Sequence, residues 1–409
     1  MLLLVAASLQ AADWPQFLGP NRNGTSAETN LAASWPKEGP PVVWQKPVGQ
    51  GFSGLVASQG KLILFHRRGG EEIVEALDTR DGRPLWAFPY PTSHVDQYPS
   101  GDPGPRGTPA ISDGRVFTFG AEGKLHCLDL AKGGKIWSVD CKKQFGARPG
   151  FFGLACSPLV DGDAVFVNVG GTGGAGVVAF EKATGKVLWK ANDEEASYSS
   201  PVAATLGGKR LAMFLTRGHL VGFDVKTGKP AFEFPFVPPI NASVTASAPL
   251  VSGEMVFMTA SYELGAAVLR VTPRGLEKVW ANDDTLSSQY ASVVERGGFI
   301  YGLHGRLDIG HSSLRCVELK TGKVQWSRDG LTYGTLILAG DSLLYLTVNG
   351  ELIRAAASPD GFKELGRAQV LPTFARAHPA LADGFFYARS KDKLFCLDLR
   401  PAAGASKKP

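Results

Sequence analysis

No stretch of this 409-residue sequence reads as an amphipathic helix of any length, which directs the reading toward strands and turns. Charge is also missing in the pattern that nucleic acid demands. The net charge is only +5, and Lys and Arg are scattered over turns, whereas a nucleic-acid surface needs a concentrated basic stripe. The one apolar run at the N-terminus is too short to span a bilayer, so no transmembrane span is expected. Cysteine is scarce, five in all. Cys127, Cys316 and Cys396 occupy one repeated position, which reads as a small buried hydrophobe far from its counterparts. Cys141 and Cys156 bracket one loop, and a disulfide and a pair of free thiols both fit that spacing.

What the chain does contain is glycine, 50 residues of it, with β-branched runs and a turn written repeatedly. The turn appears as Asp78-Thr-Arg-Asp-Gly-Arg-Pro-Leu-Trp86, Asp129-Leu-Ala-Lys-Gly-Gly-Lys-Ile-Trp137 and Glu181-Lys-Ala-Thr-Gly-Lys-Val-Leu-Trp189. It returns as Asp224-Val-Lys-Thr-Gly-Lys-Pro-Ala-Phe232 and Glu318-Leu-Lys-Thr-Gly-Lys-Val-Gln-Trp326. A period of roughly 40 to 50 residues marks a repeat architecture. Within each copy the carboxylate closes one strand and accepts bonds from the turn, Gly takes the positive-φ position, and an apolar strand ending in an aromatic follows.

Each repeat also opens with a small residue and Pro, as at Thr108-Pro, Ser157-Pro, Ser200-Pro and Ala248-Pro, with His378-Pro in the last. Four short antiparallel strands per unit describe propeller blades. The units fall at residues 52–88, 107–140, 156–191, 199–236, 246–281, 290–328 and 333–370, and the eighth, 378–399, stops one strand short. Pro41-Val-Val-Trp44-Gln-Lys-Pro-Val48 is an orphan strand. The sequence therefore predicts an all-β, eight-bladed β-propeller of four-stranded antiparallel blades. Its ring is closed by the strand around Trp44 pairing with residues 394–397, which removes an exposed edge. The expected layout is a signal peptide or its remnant over 1–12, an extended leader over 13–41, one propeller over 42–400 and a disordered tail over 401–409. The recurrent Trp44, Trp86, Trp137, Trp189, Trp280 and Trp326 read as packing between blades.

The Thr-Gly-Lys-Val-Leu-Trp189 and Thr-Gly-Lys-Val-Gln-Trp326 turns, with the Ala-Leu-Asp78 and Cys-Leu-Asp129 lead-ins, resemble the pyrroloquinoline-quinone-repeat-like (PQQ-like) β-propellers. Asp13-Trp-Pro-Gln-Phe-Leu-Gly-Pro-Asn-Arg-Asn-Gly24 resembles a leader of exported bacterial members. The resemblance covers most of the chain and implies the fold more strongly than a function. Two functions are implied. One is that of the outer-membrane-assembly lipoprotein, an eight-bladed propeller that binds partners without catalysis; the lipidated Cys of that protein has no counterpart here. The other is that of quinoprotein alcohol dehydrogenases, which hold the quinone and Ca²⁺ at the ring centre. The sequence has neither adjacent cysteines nor Cys-x-x-Cys-His, and no carboxylate cluster assignable to a Ca²⁺ shell. PQQ and Ca²⁺ thus remain possible cofactors without a motif, and no metal ligand is assigned.

Ligands of propellers meet the funnel mouth, at residues just before each innermost strand. Those residues nominate Arg106, Tyr198, Ser199, Gln289, Tyr290, Tyr333, Arg376 and His378 as binding a small anionic or aromatic ligand through paired hydrogen bonds and stacking; a plugged channel is the competing reading. Gly170-Gly-Thr-Gly-Gly-Ala-Gly176 lacks the Lys and the helix of a phosphate loop and reads as a turn. His304, Arg306, Asp308 and His311 form a loop with no compact ligand spacing. His94, Asp96 and Asp102 lie in a Pro-rich insertion that could be a lid. Asn192-Asp193-Glu194-Glu195 and Asn282-Asp283-Asp284 read as turn caps. The expectation is an exported, periplasmic or secreted, monomeric binding or scaffolding module with a protein partner or small ligand. A quinone-dependent oxidoreductase is the alternative.

Overall fold

The structure, a computed structural model, describes residues 12–97, 101–241, 243–372 and 374–402. The expected signal segment therefore lies outside the described residues except for Ala12, and the tail except for Pro401 and Ala402. Eight antiparallel sheets form a ring, seven of them consecutive in sequence at 56–91, 110–140, 159–191, 202–235, 250–282, 294–329 and 334–369. The eighth blade takes Ala380–Ala382, Phe385–Arg389 and Lys393–Asp398 from the C-terminal end and Val42–Pro47 from the N-terminal end. Trp44 pairs with Cys396 and Lys46 with Leu394, so the ring closes through the strand that the sequence left unpaired. One strand was not foreseen: Thr25–Ser26 of the leader adds in parallel to Gly334–Ala339, giving the seventh blade a fifth strand.

The repeated aromatic explains how blades pack. The indole Nε1 of Trp86 donates to Leu130 O of the next blade at 3.0 Å, and Trp44, Trp137 and Trp189 make the equivalent bond at 3.0 Å. Each ring also covers the glycine of the next blade's turn. At Gly133, φ is +73° and an added Cβ would stand 2.5 Å from the Trp86 ring; Gly82, Gly185, Gly228 and Gly322 sit identically under Trp44, Trp137, Trp189 and Trp280. Opposite Trp44, Trp137 and Trp326 in the pairing stand Cys396, Cys127 and Cys316, all fully buried. Burial raises the Cys127 and Cys396 thiols to about 12. The register slips by one residue at each of these Trp positions, which turns the preceding apolar residue, Val43 or Ile136, outward.

The hydroxyl residues before Pro109, Pro158 and Pro201 have a separate task around the axis. Gly54 N donates to Thr108 Oγ1 at 3.0 Å, Thr108 N to Ser157 Oγ at 2.9 Å and Ser157 N to Ser200 Oγ at 2.9 Å. Ala248 N donates to Ser292 Oγ at 3.0 Å in the same way. Each hydroxyl satisfies a buried N–H of the preceding blade, a group that is costly to leave alone. Cys141 and Cys156 are both buried free thiols of a single hydrophobic cluster.

Candidate functional site

In an up-and-down blade the residues before the innermost strand and the second-to-third-strand turns share one face of the ring. There they surround a cavity of about 530 Å³ lined by Phe52, Arg106, Tyr198, Tyr290 and Arg376, among others. Of the eight residues nominated from sequence, Gln289 completes the set that reaches it. Ser199, Tyr333 and His378 do not line it. The Ser199 hydroxyl donates to Ser247 O at 2.8 Å. The Tyr333 hydroxyl, fully buried, accepts from Tyr290 N and Ala291 N at 3.0 and 3.1 Å. His378 lies below the cavity, stacked on Trp14 at 6.2 Å and met edge-on by Phe17 at 5.6 Å. These three hold the wall together.

Two guanidinium groups flank one ring. Arg106 stands 4.9 Å from the centroid of Phe52 and Arg376 stands 4.8 Å from it. Arg106 is also 4.9 Å from Phe152, and Arg376 is 5.3 Å from Tyr290. Arg106 is neutralised by Asp96 at 2.8 Å, itself 3.0 Å from His94 Nε2. The Pro-rich insertion thus folds down to hold Arg106. Burial first, and the neighbouring Arg376 among the charges, lowers the Arg106 guanidinium from its usual range. Arg376 makes no ion pair among the described residues; rings are its partners.

Across the cavity, Arg306 lies 4.1 Å over the Tyr262 ring and pairs with Asp308. Gln289 donates to Tyr262 Oη at 3.0 Å and to Asp308 Oδ1 at 2.9 Å, and accepts from Leu307 N at 3.0 Å. Its amide is therefore occupied as a strut. Phe17, Phe151, Phe152 and Tyr262 were missed as site residues because they do not directly precede an innermost strand. A long connection carries Phe151 and Phe152, and a hairpin tip Tyr262, over the mouth, while the leader brings Phe17 to the cavity from the other side. Arg306 and Asp308, read as loop residues, belong to this wall, whereas His304 is bonded elsewhere, accepting from Ser287 N at 3.1 Å.

The remaining candidates are structural. Gly174 N donates to Asp193 Oδ1 at 2.6 Å, so the glycine-rich turn is capped by a carboxylate where a phosphate would sit. Thr285 N donates to Asn282 Oδ1 at 2.8 Å. Among the described residues one group has metal-ligating spacing, Glu194, His219 and Glu233. There His219 meets Glu194 at 2.5 Å and Glu233 at 3.3 Å, while Glu194 also takes bonds from Thr216 and Gly218.

A Ca²⁺ ion takes six to eight oxygens, and the described residues lining the cavity do not offer them. Asp96 is engaged by His94 and Arg106, and Asp308 by Arg306 and Gln289. Asp102 accepts from Gly104 N at 3.0 Å, and its other oxygen has no partner among the described residues. The donor set fits an anion with a flat apolar body far better than a hard cation.

A family model described as outer membrane protein assembly factor BamB matches residues 70–328. Among curated proteins, the chain is 24% identical to the outer membrane protein assembly factor BamB of Shewanella oneidensis over 294 residues, 64% of this chain and 71% of that one. It is 26% identical over 233 residues to quinoprotein alcohol dehydrogenase PedH of Pseudomonas putida, 56% of this chain but only 35% of that protein. The match to quinohemoprotein alcohol dehydrogenase of Comamonas testosteroni spans 20% of that protein. Of solved structures, BamB from Moraxella catarrhalis superimposes with a TM-score of 0.64 at 15% identity, over 90% of this chain and 99% of that one. The Comamonas testosteroni dehydrogenase gives 0.68 at 13% identity, over 97% and 82%. At such identities the superpositions speak for the fold alone.

Proposed function

This chain belongs to the BamB-type family of PQQ-like β-propellers, and on that premise we propose that it is a binding module whose ligand is a planar aromatic anion held in the axial funnel. The observation that carries this reading is Arg376, a cation facing the cavity with aromatic rings on two sides and no carboxylate partner among the described residues. A half-buried guanidinium gains most from an ionised acceptor, and the flanking rings suit a flat apolar body. A protein partner that presents such a group at the mouth is served by the same chemistry. The reading places the protein, as a monomer, in the periplasm or outside the cell. No helix among the described residues is long and apolar enough to cross a membrane.

The second reading, a quinone-dependent oxidoreductase, is favoured by the matches to quinoprotein dehydrogenases. The cationic, aromatic wall suits the flat anionic quinone, with Arg376 and Arg106 as the residues that would hold its carboxylates. The carboxylates available do not suit the Ca²⁺. Titration with pyrroloquinoline quinone, with and without Ca²⁺, separates the two. The binding-module reading expects saturable quinone binding that Ca²⁺ does not strengthen, and no reduction of an acceptor dye by alcohols. Binding that depends on Ca²⁺ and supports dye reduction would establish the oxidoreductase instead.

A further inference from the structure

The leader Asp13-Trp-Pro-Gln-Phe-Leu-Gly-Pro-Asn-Arg-Asn-Gly24 crosses the face of the ring opposite the funnel mouth. Its backbone is tied to the far ends of innermost strands. Trp14 N donates to Ala57 O at 2.8 Å and Ala57 N returns to Trp14 O at 2.9 Å. Ile111 N donates to Pro15 O at 2.7 Å, and Leu338 N to Gly24 O at 2.9 Å. First, second and seventh blades are thus spanned by one short segment, whose Trp14, Leu18 and Arg22 are buried. Trp14 is 1% exposed and lies against His378 with an interplanar angle of 14°. Phe17 meets the same imidazole and reaches the cavity.

Arg22 is buried beside that floor. Its guanidinium donates to Ser157 O at 3.2 Å, Pro158 O at 3.0 Å and Pro201 O at 2.9 Å, with Gln16 Oε1 at 3.2 Å. Burial lowers its pKa to about 10, so it remains charged near neutrality, and its partners are carbonyls and an amide. Ser157, whose carbonyl holds it, lines the cavity. A cation with no counter-ion among the described residues, beside that floor, adds to the attraction that Arg376 exerts on an anion.

We infer that the leader is the floor of the ligand site and that Phe17 is a specificity-determining residue, setting how far a planar aromatic anion can descend. A propeller ring by itself leaves an axial channel; the leader turns it into a blind pocket with an aromatic base. The ligand's charged group then lies toward Arg376 and its ring system points down at Phe17. The inference rests on the funnel being a ligand site. It adds that a residue outside the propeller repeats decides which ligands fit.

The test uses two probes of like charge and different length, naphthalenesulfonate and anilinonaphthalenesulfonate, titrated against the full chain and its Phe17→Ala and Phe17→Leu variants. Removing the floor ring loses contact with the short probe and makes room for the long one. Phe17→Ala is expected to move the ratio of the two dissociation constants about tenfold toward the longer probe, a change of about 1.4 kcal/mol. Phe17→Leu, which keeps an apolar side chain against His378, shifts the ratio in the same direction by less. A general loosening of the fold would weaken both probes alike, so a moved ratio cannot be ascribed to it. Wild-type binding with an unchanged ratio in both variants would overturn the floor and leave the funnel standing. No saturable binding of either probe to the wild type would remove the funnel reading and the floor with it.

Discussion

Arg376 and His378 stand two residues apart and show how the sequence sorted by position what the fold sorts by environment. Arg376 faces the cavity between Phe52 and Tyr290; the His378 ring sits under it, with Nδ1 2.9 Å from Pro379 O. Burial first of all lowers the His378 pKa from 6.5 to about 4. A depressed histidine is neutral in the fold while the unfolded chain takes up a proton, so the unfolded state binds more protons below pH 6.5. Its contribution to stability is therefore complete above about pH 6.5 and is lost as pH falls toward 4. Glu28, raised to about 7 mainly by burial, acts in the opposite sense, so the prediction is for a difference between proteins. Between pH 7 and pH 4.5 the gap in unfolding free energy should move by about 2 kcal/mol in favour of His378→Gln. Urea unfolding at the two pH values measures it; a constant gap would contradict the burial of that ring. Both residues were visible in the sequence as mouth candidates, but only the leader's packing tells them apart, and Trp14 and Phe17 are more than 350 residues away in the chain.

At the scale of the strand and turn, the repeat motif joins two blades. The Trp of one blade and the Gly of the next form a unit, so glycine in that turn answers two demands at once, left-handed backbone and room for an indole. Gly114, in the same blade as Gly133, has nearly the same φ, +70° against +73°, but open space where a Cβ would go. Gly114→Ala should cost about 1 kcal/mol from backbone strain. Gly133→Ala should cost about 2 kcal/mol more, because the Trp86 ring must move. Equal losses in denaturant unfolding would remove the stacking argument. The Ser-Pro openings make a similar prediction: Ser157→Ala should destabilise by about 1–2 kcal/mol by leaving Thr108 N unpaired. The turn and its Trp were legible because they recur. Their pairing across blades was not, since the partner lies in the neighbouring repeat and no local pattern names it. The serine's task was hidden for the same reason.

For the whole molecule, closure is the dominant constraint. Trp44 comes from the N-terminal side, pairs with Cys396 and covers Gly82 of the first blade, so one side chain binds the last blade to the first. Trp44→Ala should lower the unfolding free energy by about 3–5 kcal/mol, the usual loss for a buried aromatic. An unchanged urea midpoint would show that the ring does not depend on this clasp. Blade number and closure could be read from the count of repeats and one orphan strand. The leader's route could not, because a segment without periodicity carries no signal of what it covers. That route positions the site, for it closes the channel that the repeats leave open. The most direct test of the account is a calorimetric titration of wild type and Arg376→Gln with naphthalenesulfonate. The account predicts one saturable site in the wild type, weakened at least about tenfold in the variant with its thermal midpoint kept. Equal affinity for the two proteins, or no binding to either, would contradict it.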